Sequence, residues 1–388
     1  MKAISSDASL NRRPSGRNPP AWRWILQHPE VWYGGFALQA VLMALGGGRE
    51  LRDFALTHDF AGYWQAVWWM GAHHRWYPPD SVFGWPFFAN AGEWIMVPIG
   101  FLGYALWPHP SLLLFVQTGA LLAAEIIAWH WIAETCREWP STWRFAWLGA
   151  AMVSLAANPW ILKSDWTDFH SECLLALATV GAAWALHRTR WRALGIWILV
   201  ALGCGTVGAL VVIGVAGSAL LQRQWRVAGW IGAAGFATLL CLSHWHLDQG
   251  SLMAQSYRYL AGPQGTARTI TPWTVLAGVA RHPGRAVAAF GHHVPLIVAN
   301  WWGALGLGWG NVSVLGPLVV VSVVNNLVKP GLPTHFAAPG FQNVILYPLL
   351  SIGGLILLRD GQKPIIIAGG QEHHGHYRVQ RKALFFHN

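Results

Sequence analysis

The chain has 388 residues, of which 54% are hydrophobic and 11% charged, with a mean hydropathy of +0.34 and a formal net charge of +10. A soluble domain carries about 25% charged residues, so a deficit spread along most of the length excludes an ordinary soluble protein and implies many membrane spans. The basic residues cluster between apolar runs, so positive-inside topology, not nucleic-acid binding, accounts for the excess charge. Many of the 27 tryptophans, among them Trp107, Trp143, Trp160, Trp191, Trp225 and Trp245, stand at the ends of apolar runs, where indole suits the water–lipid boundary. The four cysteines, Cys136, Cys173, Cys204 and Cys241, have no metal-ligand spacing and predict no disulfide framework.

In chain order, residues 1–30 read as a disordered, basic, cytoplasmic tail without a cleavable signal peptide. Residues 31–358 form the membrane domain, with a first span over about 31–47. A long polar and aromatic external region follows, about 48–110. Within it, Trp94 to Leu106 is apolar but carries Pro98, Gly100 and Gly103 and is shorter than the roughly 20 residues that a span needs. It is expected to lie at the interface or to re-enter. If it crossed, Arg137, Arg144, Arg188, Arg190 and Arg192 would all fall outside, against the positive-inside rule. Spans over 111–133, 145–157 and 172–187 follow, with an external loop at about 158–171. The run from Ala193 to Leu221 breaks at Gly203-Cys204-Gly205-Thr206 and is expected to form two short helices; one tilted helix is the alternative. A span over 227–243, external loops at about 244–290 and 328–341, late spans over 293–307, 312–327 and 342–358, and a cytoplasmic tail at 359–388 complete a chain of about ten spans. This topology leaves 17 of the 26 basic residues inside, with the N-terminus cytoplasmic in a plasma membrane. The fold class is thus all-α and polytopic, with interfacial helices in the first external loop.

The stretch from Thr57 to Trp69 holds His58, Asp59 and Gln65 among aromatics, where a simple anchor needs none of them. A second acidic cluster runs from Asp165 to His170. Both loops carry an acid beside a histidine, His58-Asp59 and Asp168-Phe169-His170, and each acid lies close to a span. A carboxylate near a bilayer is costly unless it is hydrated, paired or used. Asp59 suits the abstraction of a proton from an acceptor hydroxyl, and the second acid, or a divalent metal that it holds, suits orienting the acceptor or steadying a leaving phosphate. The plain structural alternative is that these acids cap helices or pair with Arg49, Arg52, Arg75 or Lys163, and Asp168 stands where it would cap the next span. Weaker candidates for contact with an anionic substrate are Glu93 with His73-His74-Arg75, Arg258 with Arg268, and the polar group Asn325, Asn326, Lys329 and His335. His244 and His246 lack a third metal ligand, and no ligand set is assigned to a metal. No Walker loop, dinucleotide fingerprint or Gly-x-Ser-x-Gly occurs.

His58-Asp59-Phe60 with Gln65-Ala66-Val67-Trp68, Pro110 through Gln117, Asp168-Phe169-His170, Tyr257 to Gly262, Pro317 through Leu327 and His335-Phe336 together resemble a bacterial membrane family, the domain-of-unknown-function family 2079, over about residues 30–358. That family in turn resembles the C-type polytopic glycosyltransferases. The resemblance implies a polyprenyl-phosphate-linked sugar donor, Asp59 as general base, and Asp168 with His170 supporting acceptor or donor phosphate. His58, Gln65, Glu93, Arg258 and His335 are the expected substrate contacts. Two departures stand out: Glu93-Trp94 replaces an expected His-Phe pair, and Gly205-Thr206-Val207 replaces a Lys-Glu-Asp triplet. Two other classes remain open, a carrier for lipid-linked substrates and a scaffold without chemistry.

Overall fold

The computed structural model describes residues 25, 28, 30–82, 84–137, 139–158, 161–162, 165–166, 168–245, 251–261, 270–303, 312–327 and 329. The tail at 1–24, Lys163, His246, Arg268, His335, the loop beyond Lys329, the final span at 342–358 and the tail at 359–388 lie outside the described residues. Apart from a ribbon in which β1 (Pro79–Asp80) pairs antiparallel with β2 (Trp85–Pro86), the regular structure described is helical. Long charge-free apolar runs can satisfy their backbone groups in lipid only in this way.

The helices are α1 (Glu30–Arg52), α2 (His58–His73), α3 (Phe87–Ala91), α4 (Met96–Leu106), α5 (Ser111–Thr135), α6 (Ser141–Ala156), α7 (Glu172–His187), α8 (Trp191–Leu202), α9 (Gly205–Leu221), α10 (Trp225–His244), α11 (Ser251–Ala261), α12 (Pro272–Arg281), α13 (Pro283–Gly303) and α14 (Val312–Asn326). Three of them, α1, α5 and α10, are long and apolar enough to cross a membrane. Shorter apolar helices are α4, α7, α8, α9 and Val312–Val324 within α14. At 1.5 Å per residue α4 extends only about 16 Å, half of a hydrocarbon core. It has a π-helical turn at Ile99–Gly103 and packs on α2 through glycines. A Cβ on Gly71 would stand 2.2 Å from Tyr104 Cγ, and one on Gly100 would stand 2.7 Å from Met70 Cβ.

Side-chain contacts fix the direction of each helix. α1 runs antiparallel to α5: Gly47 lies beside Leu114, Gln39 bonds Glu125, and Tyr33 bonds His130. α5 and α7 run the same way, since Gln117 bonds His170 at one end and Glu134 pairs with Arg188 at the other. α8 returns along α7, with Gly181 against Trp197. α9 runs antiparallel both to α10, where Gly235 faces the Ala209 carbonyl, and to α14, where Gly214 meets Gly316 and Gln222 bonds Ser313. The corner between α8 and α9 falls at Gly203-Cys204, where the sequence predicts a break. Gly205 there has φ +72°, and a Cβ on Gly208 would stand 1.8 Å from the Ala201 oxygen.

These directions segregate charge. The turns that follow α5, α7 and α9 gather Arg137, Arg144, Arg188, Arg190, Arg192, Arg223 and Arg226 at one end of the bundle. The segments entering α2, α7 and α9 lie at the opposite end. There α11 and α12 form a small apolar cluster with Ala286 of α13, tied to the end of α14 by Tyr257 Oη donating to the Val324 carbonyl at 2.9 Å. The region at 244–290, expected as a loop, is thus largely helical. α13 also begins ten residues earlier than the expected span, because Pro283 suits a first helical position.

Candidate functional site

The site begins with a helix cap. Thr57 has extended backbone (φ −79°, ψ −179°), and its Oγ1 accepts the N–H of Asp59 at 3.2 Å, which closes the N-terminus of α2. The same hydroxyl donates to Oδ2 of Asp168, and the Phe60 N–H also donates to that carboxylate. Asp168 therefore caps α2 from another segment of the chain. It does not cap α7, where Ser171 holds the cap position without a side-chain bond.

Gln117 of α5 holds the Asp168 loop from beneath. Its Nε2 donates to the Asp168 carbonyl at 2.6 Å, and its Oε1 accepts the His170 N–H at 3.1 Å. Phe169 is fully buried against Tyr63, with ring centroids 5.0 Å apart, and His170 meets the same ring at 6.2 Å. Two segments about 110 residues apart are thereby fixed, and ligand atoms of Asp59, Asp168 and His170 all lie within 4.8 Å of one another. This is the one such group of three among the described residues.

Asp59 is the open member, with a side chain 31% exposed and His58 Nε2 at 3.5 Å from its Oδ1. Asp168 is buried, and its Oδ1 has no hydrogen-bond partner among the described residues. Burial pushes the Asp168 carboxyl up to about 6, reinforced by the charge of Asp59 and opposed by Thr57. Burial also lowers His170 to about 4, against the pull of Asp59. At neutral pH these two groups are therefore largely carboxylate and neutral imidazole, the forms that bind a metal ion. Two carboxylates and one imidazole form a donor set that zinc or manganese accepts, and the Asp168 oxygen without a partner among the described residues is the atom such an ion would satisfy. Thr57 and Gln117 stand behind these ligands as orienting partners.

A ring of further acids surrounds the group. Glu93, 7% exposed, accepts the Tyr63 hydroxyl at 2.9 Å, and the neighbouring Ile95 N–H donates to the Gly203 carbonyl at 2.8 Å. Glu172 begins α7, and its charge acts on Tyr63 together with those of Glu93 and Asp59. Tyr63, buried among them, is pushed well above the usual phenol range, first by burial and then by these charges. Asp165 accepts the Thr118 hydroxyl at 2.7 Å, and burial pushes it up to about 7.

Among the residues expected from the sequence, Asp59, Asp168 and His170 come together, with His58 exposed at their edge and Glu93 one layer deeper. Gln65 serves the fold, since its Oε1 accepts both the N–H and the hydroxyl of Ser81 and so pins the β-ribbon. Arg258 is exposed on α11 and is not among the groups that Asp59 or Asp168 contacts. The alternative pairing of these acids with arginine is not found among the described residues: Arg49 pairs with Asp53, Arg52 bonds the Gly48 carbonyl, and Arg75 stacks over Trp69. Sequence reasoning missed Thr57, Tyr63, Gln117 and Glu172 as parts of the site. Thr57 was visible as an N-cap residue before a helical run, and Gln117 as a lone amide in an apolar one.

A helical membrane protein with a half-buried acid–histidine cluster at one end of its bundle is the class that fold and site define. The chain belongs to the family described as "Predicted membrane protein (DUF2079)", which matches residues 53–270, from just before α2 to just before α12. No curated protein and no solved structure matches it.

Proposed function

We propose that the protein is a glycosyltransferase-like enzyme of the plasma membrane that moves a sugar from a polyprenyl-phosphate donor to an acceptor hydroxyl on the external face. The observation that carries this reading is the convergence of Asp59, Asp168 and His170 within 4.8 Å at the bundle end opposite the seven arginines. The positive-inside rule makes the arginine end cytoplasmic, with the N-terminus on the same side, and so makes the acidic end external.

Asp59, the exposed acid, is the general base. It takes the acceptor proton while the acceptor oxygen attacks the anomeric carbon, and the sugar–phosphate bond breaks with its electron pair leaving on the phosphate. Asp168 and His170 support the departing group. No lysine or arginine pairs with Asp59 or Asp168 among the described residues, so an anionic phosphate there needs a cation. A divalent ion held by these three side chains would supply the charge stabilisation.

The test is transfer from labelled polyprenyl-phosphate sugars by membranes containing the wild type or Asp59→Asn. Loss of a general base costs about 10²–10⁴-fold. A variant that retains full transfer removes Asp59 from the mechanism. A wild type that transfers from no such donor supports instead a carrier of lipid-linked substrates. The broken helix pair α8–α9, whose corner faces Ile95, favours that second reading.

A further inference from the structure

We propose that Glu125 and Gln39 form a proton-binding site inside the helix bundle, loaded from the acidic end through Asp165. The proposal is independent of the transferase reading. Glu125 lies near the middle of α5 and is fully buried, and Gln39 lies opposite it on α1 at 3% exposure. A carboxylate at such a depth costs several kcal/mol unless a cation pairs with it. No lysine, arginine or histidine does so among the described residues. Among the described residues its one bond comes from Gln39 Nε2, which donates to Glu125 Oε1 at 3.0 Å.

Two oxygens are left over, Glu125 Oε2 and Gln39 Oε1, both buried and without a hydrogen-bond partner among the described residues. Turning the amide end for end does not help, because the pair still presents more acceptor oxygens than hydrogens to fill them. One proton on Oε2 does help. The carboxylic acid then has an O–H for Gln39 Oε1 to accept, and acid and amide satisfy each other in both directions. The pair therefore reads as a site built for the protonated acid.

The route to it lies along α5. Thr118 stands seven residues before Glu125, on the same face of the helix and about 10 Å along its axis. The Thr118 hydroxyl donates to Asp165 Oδ1 at 2.7 Å, at the acidic end of the bundle. Asp165 is also the titratable group whose charge acts on Glu125. Of the elements packed against α5, α1 faces Glu125 with Gln39, and the segment between α6 and α7 faces it with Asp165, while α7 carries Glu172 and Cys173 at the acidic end and His187 against Trp131 at the other. Tyr33 and His130, bonded at 2.6 Å, lie further along the α1–α5 contact. A proton taken from water at the acidic end binds the Asp165 carboxylate and reaches Glu125 by way of water that enters the apolar turn of α5 formed by Leu121 and Leu122. Release reverses the path. α1 leads into the segment that holds Thr57 and Asp59, and its Gly46 lies against Trp166, so the Glu125–Gln39 pair sits on a helix joined to the acidic site.

The measurement is infrared spectroscopy of the full chain in detergent at neutral pH, read in the stretching region of protonated carboxyl groups. The wild type minus Glu125→Gln difference is expected to contain one such band. A difference spectrum without it overturns the proposal. Gln39→Leu, which keeps the acid and removes its acceptor, is expected to shift the band, and an unmoved band overturns the pairing even where Glu125→Gln fails to insert. In D2O the band is expected to exchange more slowly in Asp165→Asn than in the wild type. An unchanged rate overturns loading through Asp165.

Discussion

Replacing Asp165 by asparagine is expected to raise the stability of the fold at pH 8 and to flatten its dependence on pH. Asp165 is 2% exposed, its Oδ1 accepts the Thr118 hydroxyl, and its Oδ2 has no hydrogen-bond partner among the described residues. Burial moves its carboxyl from 3.8 to about 7, with Thr118 opposing. The folded chain thus holds this proton more tightly than the unfolded chain. The associated stability is fully present below about pH 4, falls as the pH rises towards 7, and then levels off. A displacement of about three units, at about 1.4 kcal/mol each, corresponds to about 4 kcal/mol. Asparagine keeps a carbonyl for Thr118 and places a neutral amide where Oδ2 stood, so it removes the cost of ionisation without opening a cavity. Thermal unfolding of both chains in one detergent, from pH 4 to 8, measures the effect. The two curves should nearly meet at the acid end and separate by several degrees at pH 8, with the variant higher. Asp168, raised to about 6, loses stability over part of the same window, whereas His170, lowered to about 4, gains it between its folded and unfolded values. Both groups are common to the two chains and cancel in the difference. A variant that melts at or below the wild type at pH 8, or with the same slope against pH, refutes the reasoning.

Thr57→Val removes a helix cap worth about 1 kcal/mol and a bond to a buried carboxylate worth about 1.5–3 kcal/mol, so unfolding should become easier by roughly 3 kcal/mol, with Thr57→Ser close to the wild type. Gly316→Ala places a Cβ 1.8 Å from the Gly214 carbonyl oxygen and 2.7 Å from Ser218 Oγ, which forces α9 and α14 apart. Its melting temperature should fall by an amount matching about 1–3 kcal/mol or more, while Gly217→Ala, which meets open space, should be neutral. Manganese at about 100 times its dissociation constant should stabilise the wild type by about 2.7 kcal/mol, and Asp59→Asn or His170→Ala should abolish that rise in a melting assay.

The helical class and the break at Gly203 were legible because both rest on local composition: apolar runs of span length, and glycines at a corner. The shortness of α4 was legible for the same reason. The site was legible only in part. Asp59 and Asp168 drew notice as acids that lipid does not tolerate, but their meeting depends on α1, α5 and α7 being held in register over 110 residues of sequence. Gln117 and Thr57 create that meeting, and neither looks like a chemical group when read alone. Gln65 shows the converse. It is a polar residue among aromatics that looked chemical, and it pins Ser81. The Glu125–Gln39 pair was hidden because each member sits alone in an apolar run, and only the antiparallel packing of α1 on α5 places one opposite the other.

The two departures from the family pattern acquire a common meaning in three dimensions. Residues 93–94 and 205–207 are far apart in sequence, yet the Ile95 N–H bonds the Gly203 carbonyl, and the charge of Glu93 acts on Cys204. They belong to one contact. The resemblance implies a histidine on one side of that contact and Lys-Glu-Asp on the other, which amounts to one net negative charge with the histidine neutral. This chain has Glu93 on the first side and the uncharged Gly205-Thr206-Val207 on the second, and reaches the same total. The carboxylate missing from the corner is supplied by the loop that packs on it, and the Tyr63 hydroxyl holds it in place. The rearrangement moves the charge from the helix corner to the loop and leaves the Asp59–Asp168–His170 group intact.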